Sequence, residues 1–101
     1  MAPDFPSDRG VYGISVAAEL TGVNPQNLRS YEARGLVAPT RTEGGTRRYS
    51  ADDVSRIQRI TTLLAAGLNL AGIAKVLHLE AETHRLHGEI ARLRDQEAIR
   101  P

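Results

Sequence analysis

The sequence contains no cysteine. That excludes disulfides, thiolate metal centres and thiol-based redox sensing, and it fits a protein of the reducing cytosol. Aromatic residues are scarce: Phe5, Tyr12, Tyr31 and Tyr49 are the whole set, with no tryptophan. A core must therefore be built from Leu, Ile, Val and Ala. No apolar run approaches the roughly 20 residues that span a bilayer. The stretch from Met1 to Arg9 is polar and proline-bearing and does not have the form of a secretory signal. Net charge is nearly absent as well, at +1, so bulk electrostatics point to no partner. No set of nucleophile, base and orienting group is visible, and Gly44-Gly45 is not a phosphate-cradling loop, so catalysis is not expected.

What remains is an ordinary globular composition. Of 101 residues, 41% are apolar and 25% charged, enough for one small core plus an extension. The charge is unevenly spread. Residues 26–60 hold seven arginines against Glu32, Glu43, Asp52 and Asp53, a net +3, whereas residues 76–101 carry a net −1. A local cationic patch attracts phosphate even when the whole chain is close to neutral.

Helix signals punctuate the first half. Residues 1–10 read as a flexible arm and Val11 to Ile14 as a short extended lead-in. Ser15 has the form of an N-cap for a helix through Leu20, with Glu19 in its first turn. Gly22 provides a left-handed C-cap. Asn24 is a strong N-cap, and Pro25 suits the first helical position because its missing N–H would be unpaired there anyway. The second helix runs to Arg34 and stops at Gly35. Two short helices joined by Gly22-Val23-Asn24 make a helix-turn-helix; a plain helical hairpin in a small bundle would show the same pattern. Pro39 bars helix over the next stretch. Residues 41–49 read as a β-hairpin in which Gly44-Gly45 supplies the positive φ of a tight turn. Its flanking arginines make it a wing against a phosphate backbone, or a solvated loop.

Ser50-Ala51-Asp52-Asp53 has the form of a capping box. Val54, Ile57, Ile60, Leu63 and Leu64 follow at helical spacing, so a third helix covers about 51–65. Gly67 breaks it, and Asn69 caps a fourth helix bearing Leu70, Ile73, Val76 and Leu77. Beyond it, Leu79, Thr83, Leu86, Ile90 and Leu93 alternate in steps of four and three, as in a coiled-coil seam. A helix from Leu79 to Glu97 would be roughly 28 Å long and marginal alone in water. It needs a partner: the chain's own head or, as expected here, a second copy.

The runs Ile14-Ser15-Val16-Ala17-Ala18-Glu19-Leu20-Thr21-Gly22-Val23, Asn27-Leu28-Arg29-Ser30-Tyr31-Glu32-Ala33-Arg34-Gly35-Leu36, Pro39-Thr40-Arg41 and Gly45-Thr46-Arg47-Arg48-Tyr49-Ser50 closely resemble the MerR family of regulators. The likeness covers residues 12–97. Within that family the stretches Ile14–Leu20 and Leu68-Asn69-Leu70-Ala71-Gly72-Ile73 are most similar to the HspR heat-shock repressor subgroup. The resemblance implies a mainly α fold, with a winged helix-turn-helix DNA-binding domain over residues 11–78 and an antiparallel coiled-coil dimerisation helix over 79–101. It implies a homodimer on an inverted repeat of double-stranded DNA, in the bacterial cytoplasm on the nucleoid, with the chaperone DnaK as a co-repressor available to such proteins.

Family and chemistry together nominate the residues. Gln26, Asn27 and Ser30 on the second helix are candidate base readers, since Asn and Gln can bond adenine with both side-chain atoms. Arg29 can read guanine or clamp a phosphate, and the family's equivalent arginine faces DNA. The Tyr31 ring either packs inside or lends its hydroxyl to a phosphate. Ser15, with the N–H groups of its helix, is a phosphate ligand or only a cap. Arg41, Arg47 and Arg48 are the phosphate candidates of the wing. Glu32, repelled by phosphate, is expected to pair with a cation, and Tyr49 to pack beneath the wing. Leu79, Thr83, Leu86, Ile90 and Leu93 form the dimer seam, weakened by Thr83 and by Gly88.

Other features compete less well. His84 and His87 stand three apart, with His78 nearby; lacking a third close ligand they read as surface histidines, so no metal and no cofactor is expected. Too little chain follows Leu79 to enclose an effector pocket of usual size. Many members of the family activate by untwisting an overlong promoter spacer, whereas the HspR-like ones repress by occupying the promoter; repression is expected here. An architectural, excisionase-like factor shares the winged fold but seldom needs a coiled coil. An interaction protein working through its tail would not need Asn27, Arg29, Arg47 and Arg48.

Overall fold

The structure is a computed structural model, and it describes residues 5–99. The described residues form two compact units, which divide between Gly67 and Leu68. In chain order the elements are α1 (Ile14–Thr21), α2 (Pro25–Ala33), β1 (Thr40–Arg41), β2 (Arg47–Arg48), α3 (Ala51–Ala65) and α4 (Leu70–Ile99). The first five belong to the first unit and α4 to the second.

The helix-turn-helix forms as its caps dictate. Gly22, at φ 73°, ends α1 by donating its N–H to the Ala18 carbonyl. Asn24 starts α2: its side-chain oxygen accepts from the Asn27 N–H at 2.8 Å, and Pro25 follows in the first turn. Gly35 (φ 73°) and Leu36 close α2, donating to the carbonyls of Glu32 and Tyr31. That double bond is a Schellman motif, and it turns the chain so that Leu36 and Val37 enter the core.

The start of α1 differs from the sequence expectation. Its N-cap is Gly13, with no side-chain cap, and Ser15 lies exposed inside the first turn. The reason is tertiary. Tyr12 is bridged to Tyr49 (Tyr12 N–H to Tyr49 O, 2.9 Å; Tyr49 N–H to Tyr12 O, 2.7 Å), so extended backbone ends at Gly13 and helix follows at once. Glu19 consequently sits beyond the first turn, where a helix N-terminus has little hold on it.

β1 and β2 pair antiparallel, Thr40 opposite Arg48 and Arg41 opposite Arg47. The loop closes through Gly45 N–H to Thr42 O and Thr42 N–H to Thr46 O, both 2.9 Å. Only Gly45 takes a positive φ, 85°; Gly44, expected to share that role, does not. A type I turn followed by one left-handed residue needs one such glycine, not two. Ser50 and Asp53 form the expected capping box, with both bonds at 2.9 Å, and α3 ends before Gly67 at φ 97°.

The arm expected to be loose over residues 1–10 is docked over residues 5–10; Met1 to Asp4 lie outside the described residues. The Ser7 carbonyl accepts from the Asp52 N–H at the head of α3. Phe5 meets Tyr12 edge-on, with ring centroids 6.4 Å apart. Gly10 passes so close to the hairpin that a β-carbon there would fall 2.3 Å from Thr40 Oγ1 and 2.8 Å from the Arg48 carbonyl. Only glycine fits that passage.

The core of this unit is aliphatic apart from two tyrosines. Ala17, Val23, Leu28, Leu36, Val37, Ile57, Ile60 and Leu63 are buried with Tyr31 and Tyr49. In the second unit the Asn69 side chain accepts from the Gly72 N–H at 2.8 Å and α4 runs unbroken for 30 residues, about 45 Å at helical rise. The 78/79 boundary drawn from the sequence falls inside it. Ile73 and Leu77 are its buried positions, whereas Leu79, Leu86, Ile90 and Leu93 are 45–63% exposed. No described helix is both long and apolar enough to cross a membrane.

The capping box generates a test. Ser50→Ala should cost about 1 kcal/mol and lower the thermal midpoint by about 4–8 °C for a domain of this size. Ser50→Thr, which keeps the accepting oxygen, should lose much less. Equal midpoints for Ser50→Ala and the parent would show that the cap contributes nothing.

Candidate nucleic-acid interface

Two elements carry most of the candidate residues, and one carboxylate joins them. Glu32, on the last turn of α2, accepts from both strands of the hairpin. Arg47 Nε lies 2.6 Å from Glu32 Oε1, and Arg41 Nη2 lies 3.0 Å from Oε2. Arg41 also donates from Nη1 to the Gly45 carbonyl at 2.9 Å, tying the strand to its own turn. The Glu32 side chain is only 20% exposed, so it is partly removed from competing water and two cations compensate it. Charge-assisted bonds of this kind are short and strong. The Arg47 hydrogen bond is the main influence on the Glu32 carboxyl and holds it below its ordinary range, against the opposing effect of burial. The same bond raises Arg47.

Around this joint the candidates divide. Gln26, Asn27 and Arg29 stand exposed on α2, and Ser30 is half-buried. The Asn27 side chain is not used by the N-cap, which takes only its backbone N–H. Tyr31 is 5% exposed and belongs to the core. Arg41 and Arg47, expected to reach for phosphate, are oriented by Glu32. Arg48 is half-buried and donates to the Arg47 carbonyl. Its guanidinium rests against the start of α1: a β-carbon on Gly13 would stand 3.5 Å from Nη1. Ser15 is exposed in the first turn of that helix. Arg48 and the first turn of α1 thus present positive charge and helix N–H groups side by side, an arrangement that favours an anion.

Tyr49 is fully buried, and its hydroxyl has no hydrogen-bond partner among the described residues. Burial pushes its phenol above the ordinary value. The sequence pointed to Glu32 as an ion-pair partner without naming which arginines it takes. The close passage of Gly10 left no local signal, because glycine in an arm looks like flexibility. The hydrogen bond from Arg56 Nε to the Leu36 carbonyl, which fastens α3 to the end of α2, was equally silent.

Residues 12–80 match the family described as MerR HTH family regulatory protein. The chain belongs to the MerR family. It is 44% identical over 91 residues to a putative heat shock protein HspR of Streptomyces coelicolor, an alignment covering 89% of this chain and 60% of that one. The chain therefore spans less than two thirds of that relative's length. Among solved structures it is similar to a MerR family regulator from Listeria monocytogenes, with TM-score 0.65 and 30% identity over 87% of this chain and 68% of that one. It shares its fold with HiNmlR, a MerR family regulator lacking the sensor domain and bound to promoter DNA, at TM-score 0.60 and 24% identity over 86% of this chain and 78% of the other.

The lowered Glu32 carboxyl makes the joint acid-sensitive. Its stabilising contribution is complete above the ordinary value of 4.5 and is lost as pH falls through the lowered folded value. Glu32→Gln should therefore melt a few degrees below the parent at neutral pH, and the gap should close in strong acid. A gap that persists unchanged in acid would mean that the charge of Glu32 is not what holds the hairpin.

Proposed function

We propose that this MerR-family chain is a sequence-specific transcription regulator that binds an inverted-repeat operator as a homodimer and represses the genes it controls. The observation that carries the reading is the Glu32 joint. It makes one rigid piece of a helix bearing exposed Gln26, Asn27 and Arg29 and a hairpin bearing Arg41, Arg47 and Arg48. A helix that reads base edges works only in fixed register, and register is set by contacts to the phosphate backbone. Here the hairpin acts as the wing.

Within this proposal the head, residues 11–78, holds DNA and the segment 79–101 pairs two copies as an antiparallel coiled coil. The exposed row Leu79, Leu86, Ile90 and Leu93, with Thr83, has the spacing of such a seam. Asn27 and Gln26 read adenine, Arg29 reads guanine or takes a phosphate, and Ser30 assists. Arg48, Ser15 and the first turn of α1 receive one phosphate, while Arg41 and Arg47 line the backbone path. Tyr31 contributes through packing and does not touch the DNA. Likeness to HspR supports a stress-response role in the bacterial cytoplasm, on the nucleoid, with DnaK as co-repressor; no catalytic role is proposed. The HiNmlR complex, a promoter bound by the same fold, supports DNA as the partner.

Selection of bound duplexes from a random library tests the reading. Two half-sites related by a two-fold axis are expected. Asn27→Ala should relax preference at one position per half-site, at about 1–3 kcal/mol. Arg48→Ala should weaken binding to every duplex and flatten the salt dependence by about one unit for each phosphate that is no longer neutralised. A monomer without preference for any palindromic duplex would overturn the proposal.

A further inference from the structure

The three arginines of the hairpin are held in two different ways. Arg41 and Arg47 stand opposite each other in the register, and both turn to Glu32. Successive side chains of a strand point to opposite faces, so Arg48 leaves the hairpin on the other side. No carboxylate pairs with it there. Among the described residues its guanidinium bonds only the Arg47 carbonyl, from Nη1 at 3.1 Å. What it meets instead is the arm. A β-carbon on Gly10 would fall 3.1 Å from the Arg48 β-carbon and 2.8 Å from the Arg48 carbonyl oxygen, and one on Gly13 would stand 3.5 Å from Nη1. Both ends of the Arg48 side chain thus lie against a glycine.

Conformation is not why glycine occupies these two positions. Neither has a positive φ, and Gly13, at φ −68° and ψ 168°, has extended backbone that any residue adopts. The reason is space. The strip of arm that carries them is fastened on both sides. The Val11 and Tyr12 N–H groups donate to the Tyr49 carbonyl at 3.0 and 2.9 Å, one residue beyond Arg48, and the Ser7 carbonyl accepts from the Asp52 N–H at 2.9 Å. We propose that Gly10 and Gly13 are positioning residues for the grip on the DNA backbone: they leave a bed for the Arg48 side chain and so aim its guanidinium at the first turn of α1. This rests on the DNA reading of the preceding subsection.

Shape does for Arg48 what charge does for Arg41 and Arg47. An arginine side chain loses rotamer freedom when it settles on a phosphate, and confinement beforehand reduces that loss. A side chain at position 13 would crowd the place of Nη1. A β-carbon at position 10 would push the arm off Thr40 and Arg48. The base-reading candidates stand on α2, whereas Arg48 is a phosphate candidate, and phosphate contacts carry no sequence information directly. Changes at the two glycines therefore act on affinity for every duplex and not on the choice of bases.

Binding to the selected operator and to random duplex is measured over a salt series for Gly13→Val, Gly10→Ala, Arg48→Ala and each glycine variant combined with Arg48→Ala. Gly13→Val should keep the helical circular dichroism of the parent, weaken binding to both duplexes about five- to tenfold and lower the salt slope by about one unit. The selected operator should stay the same. Added to Arg48→Ala, it should cost less than about a further twofold, since both changes act on one contact. Gly10→Ala should behave likewise; if it fails to fold, Gly13→Val decides alone. Losses that add in full in the combined variant overturn the inference and leave the DNA reading standing. So does a Gly13→Val or an Arg48→Ala chain that binds as tightly as the parent. A parent chain without preference for any duplex overturns the DNA reading and the inference with it.

Discussion

One carboxylate governs how the proposed reading surface is assembled. Glu32 belongs to α2, yet both its oxygens are taken by arginines from β1 and β2. A two-stranded hairpin of four strand residues has almost no core of its own and is marginal in isolation. Its orientation must come from elsewhere, and the Glu32 bonds supply it from the helix that it accompanies. The remaining fasteners act from beneath. Tyr49 is buried and bridged to Tyr12, and the arm crosses over Thr40 and Arg48 at Gly10. The hairpin is thus fixed from the side by charge and from below by packing.

This arrangement separates two uses of arginine that composition cannot distinguish. Arg41 and Arg47 commit part of their hydrogen-bonding capacity inside the protein, while Arg48 is turned toward the start of α1. The guanidinium fork has five N–H groups, so an arginine held by Glu32 keeps donors for a phosphate while losing conformational freedom. Ordering these long side chains before DNA arrives lowers the entropy lost on binding, the usual benefit of preorganisation.

Much of the architecture is readable in the sequence because its signals are local. Caps at Asn24 and Ser50, stops at Gly22, Gly35 and Gly67, and the apolar rhythm of α3 act within one or two turns, and each appears where its chemistry demands. The departures share one cause. Ser15 has every mark of an N-cap, but a backbone bridge from Tyr12 to Tyr49, nearly forty residues apart in sequence, starts the helix earlier. The arm looks loose because its Pro and Gly residues commonly mark disorder, and its docking depends on surfaces that exist only after folding. The fourth helix and the tail look like two pieces because their faces change at residue 79, although nothing between Leu70 and Ile99 halts a helix backbone. Among the candidate site residues, side-chain type identifies Glu32 as a pairing residue, but only the antiparallel register of β1 and β2 brings Arg41 and Arg47 to the same acid.

The passage of Gly10 over the hairpin reaches beyond its own position. A domain delimited by its helices would begin at Ile14, and trimming there would look harmless. It would instead remove an interleaved segment: the Ser7 carbonyl from the head of α3, the Tyr12 bridge to Tyr49, and the backbone that closes one side of the hairpin. The minimal folding unit starts before its first helix, and residues with no regular secondary structure are part of its wall.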